Sequence, residues 1–212
     1  MRTNNLLPIA KEGFKYITCA IGAFLVFSIL DFAILEFISF ITIIFFIFIF
    51  RNPERVISTF EEASVISPVD GTVNSIEELK DSEYAYKLEI EAKCSNIGLL
   101  RIPLSSTVDT IKIQRGARVS KKSLLFKDIN ENIVLTFKDT NNNSIKVEHR
   151  LKQSFKAIDL NIIKSQKVQQ GTRYGFMVNG ITTLYLPKNF RMNLNVGAEI
   201  KAAESLVGYF TR

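Results

Sequence analysis

"KDINENIVLTFKDTNNNSIKVEHRLK", residues 127–152, decides the fold class of the larger part of this chain. Its two halves alternate apolar and polar residues and are rich in β-branched and aromatic side chains, which is typical of half-buried strands. Asn141, Asn142 and Asn143 separate the halves, and asparagine is a favoured turn residue. The stretch predicts two antiparallel strands joined by a hairpin loop, with His149 on a strand face, either exposed or satisfied by hydrogen bonds.

A weak internal repeat near the C-terminus predicts how such strands are arranged. "SQKVQQGTRY", residues 165–174, aligns with "GAEIKAAESL", residues 197–206, so that Val168 matches Ile200 and a small residue follows each at the same spacing. These halves resemble the paired hairpins of barrel-sandwich hybrid folds, and "SPVDGTV", residues 67–73, resembles their opening strand. The alignment places no lysine at a hairpin tip, so we do not interpret the chain as a lipoyl carrier.

A second turn signal lies in "GFMVNGITTLYLP", residues 175–187. Two apolar runs flank Asn179-Gly180, a dipeptide that favours a two-residue type I′ turn. The stretch predicts strand, turn and strand. With the other strand patterns, such as "YKLEIEAK" at residues 86–93, it predicts a mainly β fold of barrel-sandwich-hybrid-like antiparallel sheets.

The N-terminal quarter differs, since residues 14–50 are almost entirely apolar and hold Asp31 and Glu36 near their middle. One helix of that length is longer than a membrane span needs. Division at the two acids leaves two runs of about 15 residues, slightly short for a full span. The pattern predicts an α-helical membrane hairpin, either tilted across the bilayer or re-entrant in one leaflet.

Charge placement predicts the orientation and domains of the chain. Basic residues flank the apolar segment at both ends, so the positive-inside rule places both ends on the cytoplasmic face of the inner membrane. We therefore expect a membrane anchor over residues 1–55 and a β-rich domain over residues 56–212, facing the cytoplasm.

The composition restricts the partners. A net charge of +6 suits anionic lipid or nucleic acid, and we favour membrane phospholipid because no nucleic-acid-binding motif accompanies the charge. Two cysteines without a CxxC spacing and one histidine cannot form a zinc set, so no metal site is expected.

Four motifs follow one another from the apolar segment to the C-terminus. They are "IFRNPERVIS" at residues 49–58, "SPVDG" at residues 67–71, "GTRYG" with "LYLP" at residues 171–187, and "VGAEIKAAESLV" at residues 196–207. In this order they resemble "FFRDPER", "SPADG", "GERFG" with "YLP", and "VGQxVxAGETVL" of the short-form phosphatidylserine decarboxylase proenzyme family. The resemblance extends from about residue 11 to the C-terminus.

The resemblance implies a cofactor that the chain makes from itself. In the family, a serine hydroxyl attacks the preceding peptide carbonyl, and the resulting N-terminal pyruvoyl group is the electron sink for decarboxylation. No external cofactor is therefore expected. Counting back from Pro187 places the family's Gly-Ser pair on Asn179 and Gly180, and glycine has no hydroxyl.

Two further family positions can be placed by the same alignment. Asp70 is retained in "SPVDG", whereas "IPLSSTVDTIK", residues 102–112, has Thr107 at the position of the family's histidine. His149 stands where the family has glutamine. The catalytic positions implied by the resemblance are thus Asp70, Thr107 and Gly180, the last two substituted.

Two hypotheses for function follow, so whether the chain is an enzyme stays open. The first is a catalytically degenerate homologue in phosphatidylethanolamine metabolism, which binds phospholipid, a partner subunit or a second copy of itself. The alternative is an active decarboxylase with a non-standard nucleophile, such as Thr182 or Thr183. A two-residue slip would displace the hydroxyl of Thr182 by about 6.6 Å, whereas catalytic groups tolerate roughly 0.5 Å.

Overall fold

The computed structural model describes residues 7–55, 63–80 and 83–211. These residues form two compact units, one within Met1–Glu54 and one within Arg55–Arg212. The first is a pair of apolar helices, and the second consists mainly of antiparallel sheets. The predicted fold class is confirmed. Residues 56–62, at the start of the expected β-rich domain, lie outside the described residues.

The helical unit is a hairpin of α1 (Phe14–Ile29) and α2 (Ala33–Ile49), preceded by a 3-10 turn at Lys11–Gly13. The chain reverses at Asp31, which has a left-handed φ of 57°. The turn is shorter than the stretch from Asp31 to Glu36 at which we expected the two apolar runs to divide, because α2 already begins at Ala33. Glu36 lies in the first turn of α2, where its carboxylate faces the positive end of the helix dipole.

Backbone hydrogen bonds close the open end of the hairpin. The Ala10 amide donates to the Phe50 carbonyl at 2.8 Å, and the Asn52 amide donates to the Pro8 carbonyl at 2.7 Å. The ring of Tyr16 stacks on that of Phe50, with centroids 5.3 Å apart. The segment before α1 and the segment after α2 are therefore bonded to each other at the open end of the hairpin.

The hairpin presents apolar side chains to its surroundings, among them Ile29, Ile34 and Phe37. By length and composition alone, the helical stretch Lys11–Ile29 is long and apolar enough to cross a membrane. The 17-residue α2 is shorter, about 26 Å at about 1.5 Å per residue, against about 30 Å of hydrocarbon.

The second unit consists of short strands with one further helical turn. In the described residues these are β1 (Ser64–Ile66), β2 (Gly71–Glu78), β3 (Tyr86–Ala92), β4 (Leu99–Arg101), β5 (Ser106–Gln114), α3 (Phe126–Ile129), β6 (Asn132–Lys138), β7 (Ser144–Leu151), β8 (Asp159–Leu160), β9 (Lys167–Val168), β10 (Arg173–Phe176), β11 (Gly180–Leu186), β12 (Phe190–Met192), β13 (Glu199–Ile200) and β14 (Leu206–Phe210).

The largest sheet has the strand order β13-β2-β3-β11-β7-β6-β5-β9 among the described residues. The predicted hairpin of residues 127–152 is confirmed, because β6 and β7 pair antiparallel around a loop in which Asn142 has a φ of 68°. Strand β11 pairs with β3 on one side and with β7 on the other. Its buried position explains why it reads as an apolar run rather than as an alternation.

The internal repeat corresponds to a repeated pairing pattern. Strands β13 and β14 pair with β2 and β1, while β9 and β10 pair with β5 and β4. The matched small residues Gly171 and Ala203 both have positive φ, at 78° and 67°. The two halves meet where the Ile66 amide donates to Pro103 and the Arg101 amide donates to Pro68.

The predicted two-residue hairpin at Asn179-Gly180 is wrong. The strands on either side of it belong to different sheets, since β10 pairs with β4 and β8, whereas β11 pairs with β3 and β7. The Met177 amide donates to the Gly98 carbonyl at 2.7 Å, so the chain just after β10 is still bonded to the segment just before β4. Asn179 has a φ of 59°, and the chain uses this conformation to pass from one sheet to the other.

Candidate functional site

Gly180, the position that the sequence analysis assigned to the family's serine, lies at the beginning of β11. Gly180 is in register with Ala92 of β3 and with Leu151 of β7. The carbonyl of Asn179, which precedes it, accepts a hydrogen bond of 3.1 Å from the Lys152 amide. The Asn179 side-chain amide donates to the Gln153 carbonyl at 2.6 Å. The peptide that the family would cleave is thus held from both sides.

The space beside Gly180 is filled. A β-carbon at this position would lie 2.5 Å from the Met177 sulfur and 2.8 Å from the Arg150 carbonyl oxygen, well inside the usual contact distance of about 3.5–4.0 Å. The residues therefore do not fit a self-derived pyruvoyl group here, because the hydroxyl is absent and Met177 packs where the side chain would stand.

A buried polar cluster begins two residues further along β11, at Thr182. Thr182 faces His149 across the β7–β11 ladder, and His149 Nδ1 is hydrogen-bonded to Thr182 Oγ1 at 2.8 Å. His149 Nε2 is hydrogen-bonded to the hydroxyl of Tyr174. All three residues are fully buried. Of the two alternatives predicted for His149 on its strand face, exposed or satisfied by hydrogen bonds, the structure has the second, with Thr182 and Tyr174 as the partners.

Burial determines the protonation of this cluster. It lowers the pKa of His149 from 6.5 to about 3 and raises the pKa of Tyr174 above its usual 10. A neutral imidazole has one donor and one acceptor nitrogen, so one hydroxyl donates to the ring and the other accepts from it. The pair of Thr182 and His149 is chemically a hydroxyl beside a base, although it is sealed from solvent.

Asp70 lies in the turn before β2 and is bound on two sides. Both of its carboxylate oxygens accept from the Arg55 guanidinium at 2.6 Å, and Oδ1 also accepts from the Ala202 amide at 2.8 Å. In the other half of the repeat, the Ser105 hydroxyl accepts from the Gln170 amide at 3.0 Å. Asp70 and Ser105 therefore make the same kind of contact to a backbone amide in each half.

The structure places Asp70 at the same end of the largest sheet as Gly180, and Thr107 at the other end. Glu91 of β3 is in register with both Thr72 and Ile181, so the beginnings of β2 and β11 lie at the same end of the sheet. Thr107 is in register with Lys138, and Lys138 with Ser144, seven residues from the Gly180 partner Leu151. Seven residues of strand correspond to about 23 Å. Thr107 lies instead beside Asp109 and Ser165, in a small hollow of about 170 Å³.

A cavity of about 500 Å³ opens beside Asn179. Every residue that lines it is of a polar or charged type, with three lysines against one carboxylate: Glu91, Ser120, Lys121, Lys122, Lys152, Gln153 and Asn179.

Glu91 holds two of these lysines in place. Its carboxylate oxygens lie 2.6 Å from Lys152 Nζ and 3.2 Å from Lys121 Nζ. The hydrogen bond from Lys152 is the largest cause of the lowered pKa of Glu91. The excess of cationic groups makes the cavity suited to an anionic ligand.

The sequence analysis did not find this cavity or its lysines. The residues come from four separate segments between Glu91 and Asn179, so no local motif marks them; the net charge of +6 was the only signal. Within residues 7–55, 63–80 and 83–211, no group of three His, Cys, Asp or Glu side chains could hold a metal ion.

Comparison with known proteins gives the same family from a family model and from individual relatives. A family model described as phosphatidylserine decarboxylase matches residues 43–208. A phosphatidylserine decarboxylase proenzyme of Desulfotalea psychrophila is 27% identical over 95% of this chain and 96% of its own length. The proenzyme of Geotalea uraniireducens is 28% identical over 98% of this chain and 99% of its own length. That of Carboxydothermus hydrogenoformans is 30% identical over 59% of this chain and 60% of its own length.

Proposed function

The chain belongs to the phosphatidylserine decarboxylase family, and from that premise we propose that it is a membrane-associated protein of phospholipid metabolism which binds phospholipid without self-cleavage. In this proposal residues 1–55 anchor the chain, residues 56–212 bind the lipid, and the β-rich domain faces the cytoplasm.

One observation supports the proposed loss of self-cleavage: at Gly180, which we assign to the position of the family's serine, the side-chain space is occupied. Met177 Sδ would lie 2.5 Å from a β-carbon at residue 180, so a side chain there requires Met177 to move. Thr107 also lacks the family's imidazole and lies at the other end of the sheet from Gly180. Groups that act as a unit lose most of their activity when one is removed.

The cavity beside Asn179 supports retained lipid binding. Lys121, Lys122 and Lys152 offer charge-assisted hydrogen bonds to the phosphate or carboxylate of a headgroup. Glu91 orients two of them and could accept a hydrogen bond from an amine. An anionic phospholipid headgroup that carries a phosphate or carboxylate together with an amine matches this lining.

The helix pair supports membrane association. Its outer surface is apolar along both helices, and its two ends are held together. A soluble unit would not expose such a surface without covering it.

A second candidate function rests on the hydroxyl–imidazole pair. A hydroxyl 2.8 Å from a neutral imidazole is the arrangement by which a base activates a nucleophile. Thr182 Oγ1 could then give its proton to His149 and attack the Ile181 carbonyl, so that an ester replaces the Ile181–Thr182 peptide bond and the Thr182 nitrogen takes up the proton. β-Elimination of that ester would break the chain two residues later than the position assigned to the family's cleavage. Complete burial of Thr182, His149 and Tyr174 speaks against this candidate.

Intact mass spectrometry of the purified full chain separates the two candidates. The proposal expects one chain of 24.1 kDa that lacks decarboxylase activity on phosphatidylserine. Two fragments with a break before residue 180 or 182, together with release of carbon dioxide, would support the alternative and end the proposal.

Lipid binding is tested separately with soluble dihexanoyl phosphatidylserine and isothermal calorimetry. Replacing Lys121 and Lys152 by glutamine should weaken binding about tenfold or more, because each charged hydrogen bond contributes about 1.5–3 kcal/mol. Lys87→Gln is the control, since Lys87 of β3 is likewise paired with carboxylates, Glu77 of β2 and Glu89 of β3, but lies outside the cavity. Equal affinity in all three proteins would refute the assignment of the cavity.

A further inference from the structure

The connection between β5 and β6 contains a loop that is closed at its base by one side chain. The buried Asn130 amide group donates to the Val119 carbonyl at 2.9 Å and accepts from the Val119 amide at 3.1 Å. A third hydrogen bond, to the Leu151 carbonyl at 2.7 Å, attaches Asn130 to β7. Residues 119–130 therefore form a defined projection on the sheet rather than a free loop.

The tip of this loop exposes two adjacent leucines. Leu124 is 98% exposed and Leu125 is 55% exposed, while the next residue, Phe126, is buried. Phe126 attaches the loop to the body, and the Ser123 carbonyl accepts from its amide at 3.1 Å. In the described part of the second unit no large apolar side chain is more exposed than Leu124.

Basic residues surround the tip. Lys121, Lys122 and Lys127 are all exposed, and Asp128 is the only acidic residue between residues 119 and 130. Lys121 and Lys122 also line the cavity beside Asn179. An apolar tip flanked along the chain by exposed lysines, two of which line a cationic cavity, has the chemistry of a surface that meets acyl chains and anionic headgroups together.

We propose that residues 119–130 dock the β-rich unit on the surface of an anionic bilayer, with Leu124 and Leu125 inserted among the acyl chains and Lys122 and Lys127 among the headgroups. This contact is distinct from that of the helix pair. It goes beyond the proposed function, because it holds whether or not the chain cleaves itself.

The test uses the full chain in nanodiscs that contain phosphatidylglycerol and a lipid with a quencher on its acyl chain. An environment-sensitive fluorophore is attached at one cysteine at a time. Native Cys19 of α1 reports on the helix pair in a Cys94→Ser background. Leu124→Cys reports on the loop, and Ile163→Cys is the control, both in a Cys19→Ser/Cys94→Ser background.

Ile163 suits the control because it is 71% exposed and lies at the other end of β5. The Ser165 amide, two residues later, donates to the Val108 carbonyl near the start of β5, whereas the loop follows the end of that strand.

We expect the label at residue 124 to lose most of its fluorescence in these nanodiscs and the label at residue 163 to keep it. Quenching at Cys19 without quenching at residue 124 would overturn the loop proposal while leaving the membrane anchor intact. Quenching at residue 124 without quenching at Cys19 would support the loop proposal and count against the helix pair as the membrane anchor. Concentration-dependent shielding of residue 124 in detergent, with no quenching in nanodiscs, would show that a second copy covers the leucines and would also overturn the proposal.

Charge reversal tests the role of the lysines. Lys122→Glu with Lys127→Glu should reduce the quenching at residue 124, and omission of phosphatidylglycerol should have the same effect. Lys164→Glu with Lys188→Glu changes the net charge equally at exposed sites near the other end of the sheet and should leave the quenching unchanged. An equal effect of both pairs would reject a local role for Lys122 and Lys127.

Discussion

His149 and Thr182 face each other across β7 and β11, with His149 Nδ1 and Thr182 Oγ1 2.8 Å apart and both side chains fully buried. With Tyr174 on the other ring nitrogen, both nitrogens have partners. A satisfied neutral histidine of this kind stabilises the fold only while it stays unprotonated.

The free energy of unfolding should therefore decrease as the pH falls from 6.5 toward 3. In the unfolded chain His149 binds a proton near pH 6.5, whereas in the folded chain burial lowers its pKa to about 3. Between these values the unfolded state binds more protons, so acid favours unfolding by about 1.4 kcal/mol per pH unit. Denaturant titrations in detergent at about pH 7 and about pH 5 should differ by about 2 kcal/mol through this residue.

His149→Gln is the control for that measurement, since glutamine can hydrogen-bond both hydroxyls and does not titrate. Carboxylates titrate in both proteins, so the difference between the two pH profiles isolates the histidine. Parallel profiles would show that His149 takes up its proton over the same pH range in the folded chain as in the unfolded chain, and would contradict the lowered pKa.

Thr182→Val should lower the free energy of unfolding by about 1–3 kcal/mol, because it keeps the shape of the side chain but leaves a buried ring nitrogen without a partner. Thr182→Ser keeps the hydroxyl and should retain the hydrogen bond, with a smaller loss from the missing methyl group. Urea unfolding monitored by circular dichroism measures both. If the serine variant is the less stable one, packing and not the hydrogen bond explains the role of Thr182.

Local patterns in the sequence predicted those elements that depend on neighbouring residues. Alternation identified β3, β6 and β7, and the repeat predicted the matching positions of Gly171 and Ala203. The dipeptide Asn179-Gly180 favours a left-handed backbone conformation, and Asn179 adopts it. The predicted pairing of β10 with β11 was wrong because long-range contacts determine the partners of both strands, and a dipeptide does not encode those contacts.

The candidate site was predicted less well for the same reason. His149, Thr182 and Tyr174 are separated by up to 33 residues, and only the register of β7 with β11 brings His149 and Thr182 together. The motif around Asp70 was recognisable, but Arg55, its partner, comes from the segment before the sheet.

Asp70→Asn should destabilise the fold by about 1.5–3 kcal/mol, since the buried guanidinium of Arg55 loses its two short hydrogen bonds to a carboxylate and keeps only Glu204, 3.8 Å away, as a charged partner. Ser105→Ala, at the corresponding position of the other half, removes a neutral hydrogen bond and should cost about 0.5–1.5 kcal/mol. Urea unfolding of the two variants compares these values. Similar small losses in both would show that the Arg55–Asp70 pair contributes little, and would strengthen the case for a role of Asp70 in chemistry.

Gly180→Ser supplies the hydroxyl that the family uses, yet we expect the chain to stay in one piece. The new β-carbon meets Met177 Sδ and the Arg150 carbonyl, so overpacking should lower the free energy of unfolding by about 1–3 kcal/mol. Met177→Ala in the same chain should recover part of this loss, with a coupling of about 0.5–3 kcal/mol in a double-mutant cycle. Adding Thr107→His should not produce cleavage, because the register places residue 107 about 23 Å along the sheet from residue 180. Mass spectrometry after prolonged incubation decides the matter. Fragments ending at Asn179 from the Gly180→Ser chain would show that the glycine alone prevents self-cleavage and that the rest of the site is intact. Fragments that appear only after Thr107→His is added would show that the missing imidazole prevents it as well, and would contradict the distance argument.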